Sequence, residues 1–178
     1  MNRAQLEHII RAAAGNADAD DIVVVGSQAI LGSFPDAPAE LLESMEADVF
    51  PRDKPHDSIL IDGGIGELSP FHETFGYYAH GVDEATATLP GGWRERLVPI
   101  RNENTRGATG WCLEVHDLAV SKLIAGREKD LAYIAALFRH KLAAPKLVRE
   151  RLAQTSTPES ARALAAERLS RLGRGGER

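Results

Sequence analysis

Apolar residues recur with a helical period at the start of the chain. In MNRAQLEHIIRAAAG, Leu6, Ile9, Ile10 and Ala13 share one face, so the spacing predicts an amphipathic helix. A polar turn is expected over 16–21. IVVVG at 22–26 is a short β-branched run closed by glycine, the composition of a buried strand. SQAILGSF predicts a helix with Ser27 near its start, and FPDAPAEL at 34–41, with two prolines, predicts a loop. MEADVF is the second strand, stopped by Pro51. SILIDGGIGEL fits either a helix with glycines or a strand and turn, and helix is the preferred reading. FHETFGYYAHGV, TATLPGGW, RLVPI and GWCLEV read as short strands and turns, with a turn at 90–92. His116 and Asp117 mark a helix start, with Asp117 as its cap. Beyond them Val120, Ile124, Leu131, Ile134 and Phe138 recur at helical spacing. They predict one long core-facing helix or two in tandem, weakened at Gly126 and ended by Pro145. Helices over 145–153 and 158–172 close the chain, and GRGGER at 173–178 is expected to fray.

This order predicts an α/β (α+β) chain, a small mixed β-sheet with helices packed on it. A length of 178 residues suits a single domain over 1–178, with a sheet core in 1–116 and a helical part in 117–178. Cys112 is the only cysteine, which excludes an internal disulfide and a cysteine-based zinc site. The first helix lacks the continuous apolar run of a secretory signal, and no stretch approaches the roughly 20 apolar residues of a membrane span. The expectation is a cytoplasmic protein with no membrane partner. Residues 1–138 carry 11 Lys/Arg and 22 Asp/Glu, whereas 139–178 carry 10 and 4. A basic tail on an acidic body is either a nucleic-acid footprint or a solvated helical face.

Three groups of residues carry candidate chemistry. The first is Gly26 and Ser27, where a strand gives way to a helix. Glycine lets another group approach the backbone, and the helix-opening N–H groups and the Ser27 hydroxyl suit phosphate oxygens. The second is Glu46 and Asp48, which alternation places on one face of a strand. Two like charges side by side repel unless a cation lies between them, and Mg²⁺ takes carboxylate oxygens. An exposed polar face is the alternative. The third is Lys122, Arg127, Lys129 and Asp130. On a continuous helix 122, 126, 129 and 130 share one face, which suits either phosphate binding or ordinary surface ion pairs. His72, Tyr77 and Tyr78 fit a base pocket or a packed core.

Together these residues resemble the nucleotidyltransferase superfamily of DNA-polymerase-beta-like fold, whose pattern of Gly-Ser, spacer and carboxylate–apolar–carboxylate is matched by Gly26, Ser27, Glu46, Ala47 and Asp48. DLAVSKLIAGREKDL is similar to the helical motif of the AbiEii-type and MenT-type bacterial nucleotidyltransferases, with Asp117, Lys122, Arg127 and Asp130 at the motif positions. The resemblance spans about residues 20–140, and it also extends to small nucleotidyltransferase-like bacterial proteins with HDLAVSKL and GREKDL segments. It implies an NTP substrate and Mg²⁺ or Mn²⁺. Glu46 and Asp48 would be metal ligands and catalytic, with Glu114, on the strand WCLEV, as a third metal carboxylate. Gly26, Ser27, Ser44, Lys122 and Arg127 would bind nucleotide, and Lys122 and Asp130 would assist catalysis. It also implies transfer of a nucleotide to an acceptor hydroxyl, with a tRNA 3′ end as acceptor and a cognate antitoxin as partner. The alternatives are a nucleotide-binding module without transfer chemistry and a small-molecule nucleotidyltransferase. The chain departs from the family pattern in its Glu46 where aspartate is usual. It also has an eighteen-residue spacer after Ser27 and Leu42 in place of an arginine.

Overall fold

The computed structural model describes residues 1–175. Helix α1 (Arg3–Ala17) opens with a capping box in which the Asn2 side chain and Gln5 satisfy each other's backbone N–H. Leu6, Ile9, Ile10 and Ala13 are fully buried, as their spacing requires. Among the described residues five strands follow: β1 (Asp21–Val24), β2 (Glu46–Pro51), β3 (Tyr78–Gly81), β4 (Val98–Ile100) and β5 (Thr109–Cys112). They form one mixed sheet in the order β3-β2-β1-β5-β4. β2 and β4 run antiparallel to β1 and β5 respectively, while β1–β5 and β2–β3 are parallel.

The register sorts the side chains into two faces. Val24, Val49 and Cys112 share one face with Gly110, where an added Cβ would collide with Ile10 of α1 at 2.3 Å. Glu46, Asp48 and Phe50 alternate onto the other face. A 3₁₀ turn (Ser27–Ala29) leads from Gly26 into α2 (Ile30–Ser33), a shorter helix than the sequence pattern suggests.

Several local expectations are corrected. Pro51 is the last residue of β2 and does not stop the strand short of itself. It sits opposite Ile22 where the ladder bond runs instead from Arg52 N to Asp21 O (2.9 Å), so its missing N–H costs nothing on that side. By contrast, SILIDGGI is helical as preferred, forming α3 (Ser58–Ile65). FHETF, expected as strand and turn, is helical too, in α4 (Pro70–Phe75). The Ser69 side chain accepts from His72 N, Pro70 occupies the first turn, and Gly76 at φ +75° closes the end, so the caps override the strand-like alternation.

The C-terminal helices are α5 (Val115–Ala125), α6 (Glu128–Arg139), α7 (Pro145–Ala153) and α8 (Glu159–Gly175). The cap of α5 is Glu114, whose side chain accepts from His116 N and Asp117 N; Asp117 is buried in the first turn. Gly126, at φ +65°, ends α5 in the left-handed conformation, so the tandem reading holds and the continuous helix does not. Pro145 opens α7 and does not terminate α6, which already stops at Arg139. Of the segment expected to fray, 173–175 continue α8, and 176–178 lie outside the described residues.

The chain divides into two compact units. One comprises Met1–Thr86 and Leu97–Leu113, the sheet with its N-terminal helices; the other comprises Ala87–Arg96 and the chain from Glu114 onward. Within the helical unit Arg96 grips buried Asp117 with two hydrogen bonds (2.8 and 3.0 Å), and Gly91 N donates to Gln154 O (3.1 Å). Arg168 of α8 donates to Leu123 O (2.7 Å), satisfying a carbonyl at the end of α5. Among the described residues, no helix is long and apolar enough to cross a membrane.

Candidate metal and nucleotide site

The sheet unit gathers four polar side chains in a small grid. β2 and β3 are parallel and in register, Glu46 beside Tyr78 and Asp48 beside His80. All four alternate onto the same face. Tyr78 Oη donates to Glu46 Oε2 at 3.0 Å. His80 Nδ1 lies 3.2 Å from Glu46 Oε1 and 3.2 Å from Asp48 Oδ1. The metal-ligating atoms of Glu46, Asp48 and His80 all lie within 4.8 Å of one another.

Gly26 completes the arrangement from β1. Val25 N donates to Asp48 O at 3.0 Å, which brings the end of β1 against this part of β2. A Cβ at Gly26 would stand 2.1 Å from Asp48 Oδ2 and 3.0 Å from Asp48 Cβ. The glycine therefore permits a close approach, and in the protein alone the group that makes it is the Asp48 carboxylate. Ser27 opens the adjoining 3₁₀ turn. The Ser44 hydroxyl both donates to Glu46 O and accepts from Glu46 N (3.1 Å each), so it fixes the start of β2, and buried Gln28 donates to Ser44 O at 3.1 Å.

Electrostatics separate the two carboxyls. Burial raises Asp48, the neighbouring Glu46 raises it further, and its pKa reaches about 6. Burial also acts on Glu46, but hydrogen bonds from Asp48 and Tyr78 and the nearby His80 outweigh it and hold Glu46 below the usual carboxylate range. Partial burial pulls His80 down, yet the charges of Asp48 and Glu46 lift it above the ordinary imidazole value. Burial and the bond to Glu46 push Tyr78 up to about 12, so its hydroxyl remains a donor. Two oxygen donors and one nitrogen donor converge here. This donor set fits a divalent metal ion, which would offset the repulsion between the carboxylates that adds to the effect of burial on Asp48.

The other sequence-derived residues lie in the helical unit. Asp130 is fully buried; Arg127 Nε donates to its Oδ2 at 2.6 Å and Lys122 Nζ to its Oδ1 at 3.0 Å. Burial raises Asp130, but these bonds and charges hold it below its ordinary value. Lys122 also lies over the Tyr133 ring, 4.5 Å from its centroid, and Lys129 points outward. Glu114 is not on a strand: β5 ends at Cys112, and Glu114 caps α5 with its carboxylate 2.6 Å from His116 Nδ1. The third member beside Glu46 and Asp48 is His80. Sequence reasoning missed it and the role of Tyr78. The signal was the alternation Tyr78–Ala79–His80, which repeats that of Glu46–Ala47–Asp48. Tyr77 is core, its hydroxyl bonded to His8 Nδ1 at 2.8 Å, and the His72 ring packs on Tyr78 with centroids 4.6 Å apart.

The chain belongs to the family described as nucleotidyltransferase of unknown function (DUF6036), whose model matches residues 4–163. No curated protein and no solved structure matches it significantly.

Proposed function

We propose that this protein transfers a nucleoside monophosphate from an NTP to an acceptor hydroxyl with the help of a divalent cation, releasing pyrophosphate. The observation that carries this reading is the convergence of Glu46, Asp48 and His80 beside the glycine turn at Gly26, in a chain of a nucleotidyltransferase family. When bound, the cation supplies Lewis-acid stabilisation of the reacting phosphate oxygens. Glu46 and Asp48 hold it, Asp48 after giving up the proton it keeps to about pH 6. Tyr78 fixes the Glu46 carboxylate so that one oxygen faces the site. The turn at Gly26 and Ser27 receives the triphosphate. Lys122, Arg127 and Asp130 enter as a separate proposal for phosphate charge, in which buried Asp130 orients Lys122 and Arg127 and does not itself meet substrate. The first acceptor to test is tRNA, because basic residues outnumber acidic ones in 139–178; a toxin paired with an antitoxin is the biological setting that such an activity would fit.

The test is transfer from each α-³²P-labelled NTP in turn, with Mg²⁺ or Mn²⁺ and total tRNA, comparing wild type with Asp48→Ala. Label on tRNA that disappears in the variant is the expected result. Label transferred only to small hydroxyl compounds would redirect the acceptor. NTP binding without pyrophosphate release on any acceptor would replace this reading with that of a nucleotide-binding module.

A further inference from the structure

The third donor of the cluster is an imidazole. His80 Nδ1 is 3.2 Å from each of two carboxylate oxygens, Glu46 Oε1 and Asp48 Oδ1. One N–H cannot align with both, and each distance sits at the long end of the N–H···O range, about 2.7–3.2 Å. Neighbouring ligand atoms around an octahedral ion with bonds of about 2.1 Å lie about 3.0 Å apart. The two 3.2 Å separations, with all three donor atoms within 4.8 Å of one another, therefore suit three ligands of one ion.

The three donors are also held in place. Pairing of Asp48 with His80 fixes the two side chains on adjacent strands. The Tyr78 bond to Oε2 leaves Oε1 of Glu46 turned toward His80. The Gly26 backbone limits where Asp48 can move. The His80 side chain is 52% exposed, so an ion can reach it from solvent.

Cations differ in how they receive such a set. Mg²⁺ is hard and takes oxygen ligands; imidazole suits first-row transition ions. Mn²⁺ stands at the hard end of that first-row series and joins a transition ion's tolerance of nitrogen to the octahedral, carboxylate-rich coordination of Mg²⁺. We propose that the His80 imidazole is a direct ligand of the bound ion and makes this site select Mn²⁺ over Mg²⁺. The inference rests on the reading that Glu46 and Asp48 hold a divalent cation.

The experiment is binding without turnover. Mn²⁺ is titrated into the full chain and followed by electron paramagnetic resonance, Mg²⁺ affinity is taken from competition, and spin-echo modulation reports any nitrogen bonded to Mn²⁺. The expected result is a ¹⁴N modulation in wild type that is lost in His80→Asp, and a Mn²⁺-to-Mg²⁺ affinity ratio that falls about tenfold in the variant. Bound Mn²⁺ without ¹⁴N modulation, or an unchanged ratio in His80→Asp, overturns the inference and leaves metal-dependent transfer standing. No Mn²⁺ binding in wild type, or binding untouched by Asp48→Ala, overturns it together with the metal reading on which it rests.

Discussion

Asp48 carries a cost in stability that a bound cation would remove. Its carboxyl lies against the Gly26 backbone and beside Glu46, and its pKa stands at about 6 against 3.8 for the free group. Below about pH 4 both folded and unfolded chains protonate it, so it costs nothing. Between about pH 4 and pH 6 the unfolded chain releases the proton first and stability falls as pH rises. In the absence of divalent ions, Asp48→Asn is therefore expected to stabilise the fold at pH 7.5. The gain should be on the order of 1 kcal/mol once solvent and the opposing shift of Glu46 are allowed for. The gain should vanish at pH 4 and should reverse when the ion is added, as urea unfolding in chelator and in Mn²⁺ would show. Both carboxylates were legible in the sequence because alternation alone sets their common face. His80 was not, because its membership depends on which strand pairs with β2 and in what register, a long-range fact that no local pattern carries.

At the scale of elements, the end of α5 is set by Gly126. Its φ of +65° is one that side chains adopt only at a cost, and a Cβ there would meet the Arg168 guanidinium at 2.0 Å. Arg168 in turn satisfies the Leu123 carbonyl. Gly126→Ala is expected to cost about 1–3 kcal/mol, combining the left-handed penalty with the displaced arginine. Gly15→Ala is the companion variant. Gly15 lies in α1 with nothing within 4 Å of an added Cβ, and alanine there is expected to stabilise by up to about 1 kcal/mol. Opposite signs in thermal melts would confirm the contrast. The helical period over 118–142 made α5 and α6 visible in the sequence, and Gly126 marked the break. The bend also explains why Lys122 and Asp130, eight positions apart, still meet. Where capping competed with alternation, as at α4 and at Glu114, the sequence pattern pointed to the wrong element, because a cap acts through one or two hydrogen bonds that periodicity does not register.

At the scale of the molecule, the chain passes between its two units at Thr86, at Arg96 and at Leu113. The family match at 4–163 takes in residues of both. Arg96 is the fastening of the short excursion, because the Asp117 carboxylate it grips is fully buried and a second cation, Arg151, is farther off at 3.7 Å. Arg96→Ala is expected to cost about 3 kcal/mol, the usual penalty for orphaning a buried charge, read as a lower urea midpoint. The ten residues from Ala87 to Arg96 impose a schedule on synthesis as well. Emerging from the ribosome N-terminus first, the sheet can close once Leu113 is out; this segment meets Asp117 through Arg96 next, but its contacts at Pro90 and Gly91 wait until Gln154 and Thr155 have been translated. A stop codon or ribosomal stall anywhere between those points leaves a nascent chain whose sheet is complete and whose excursion still lacks its seat on Gln154 and Thr155.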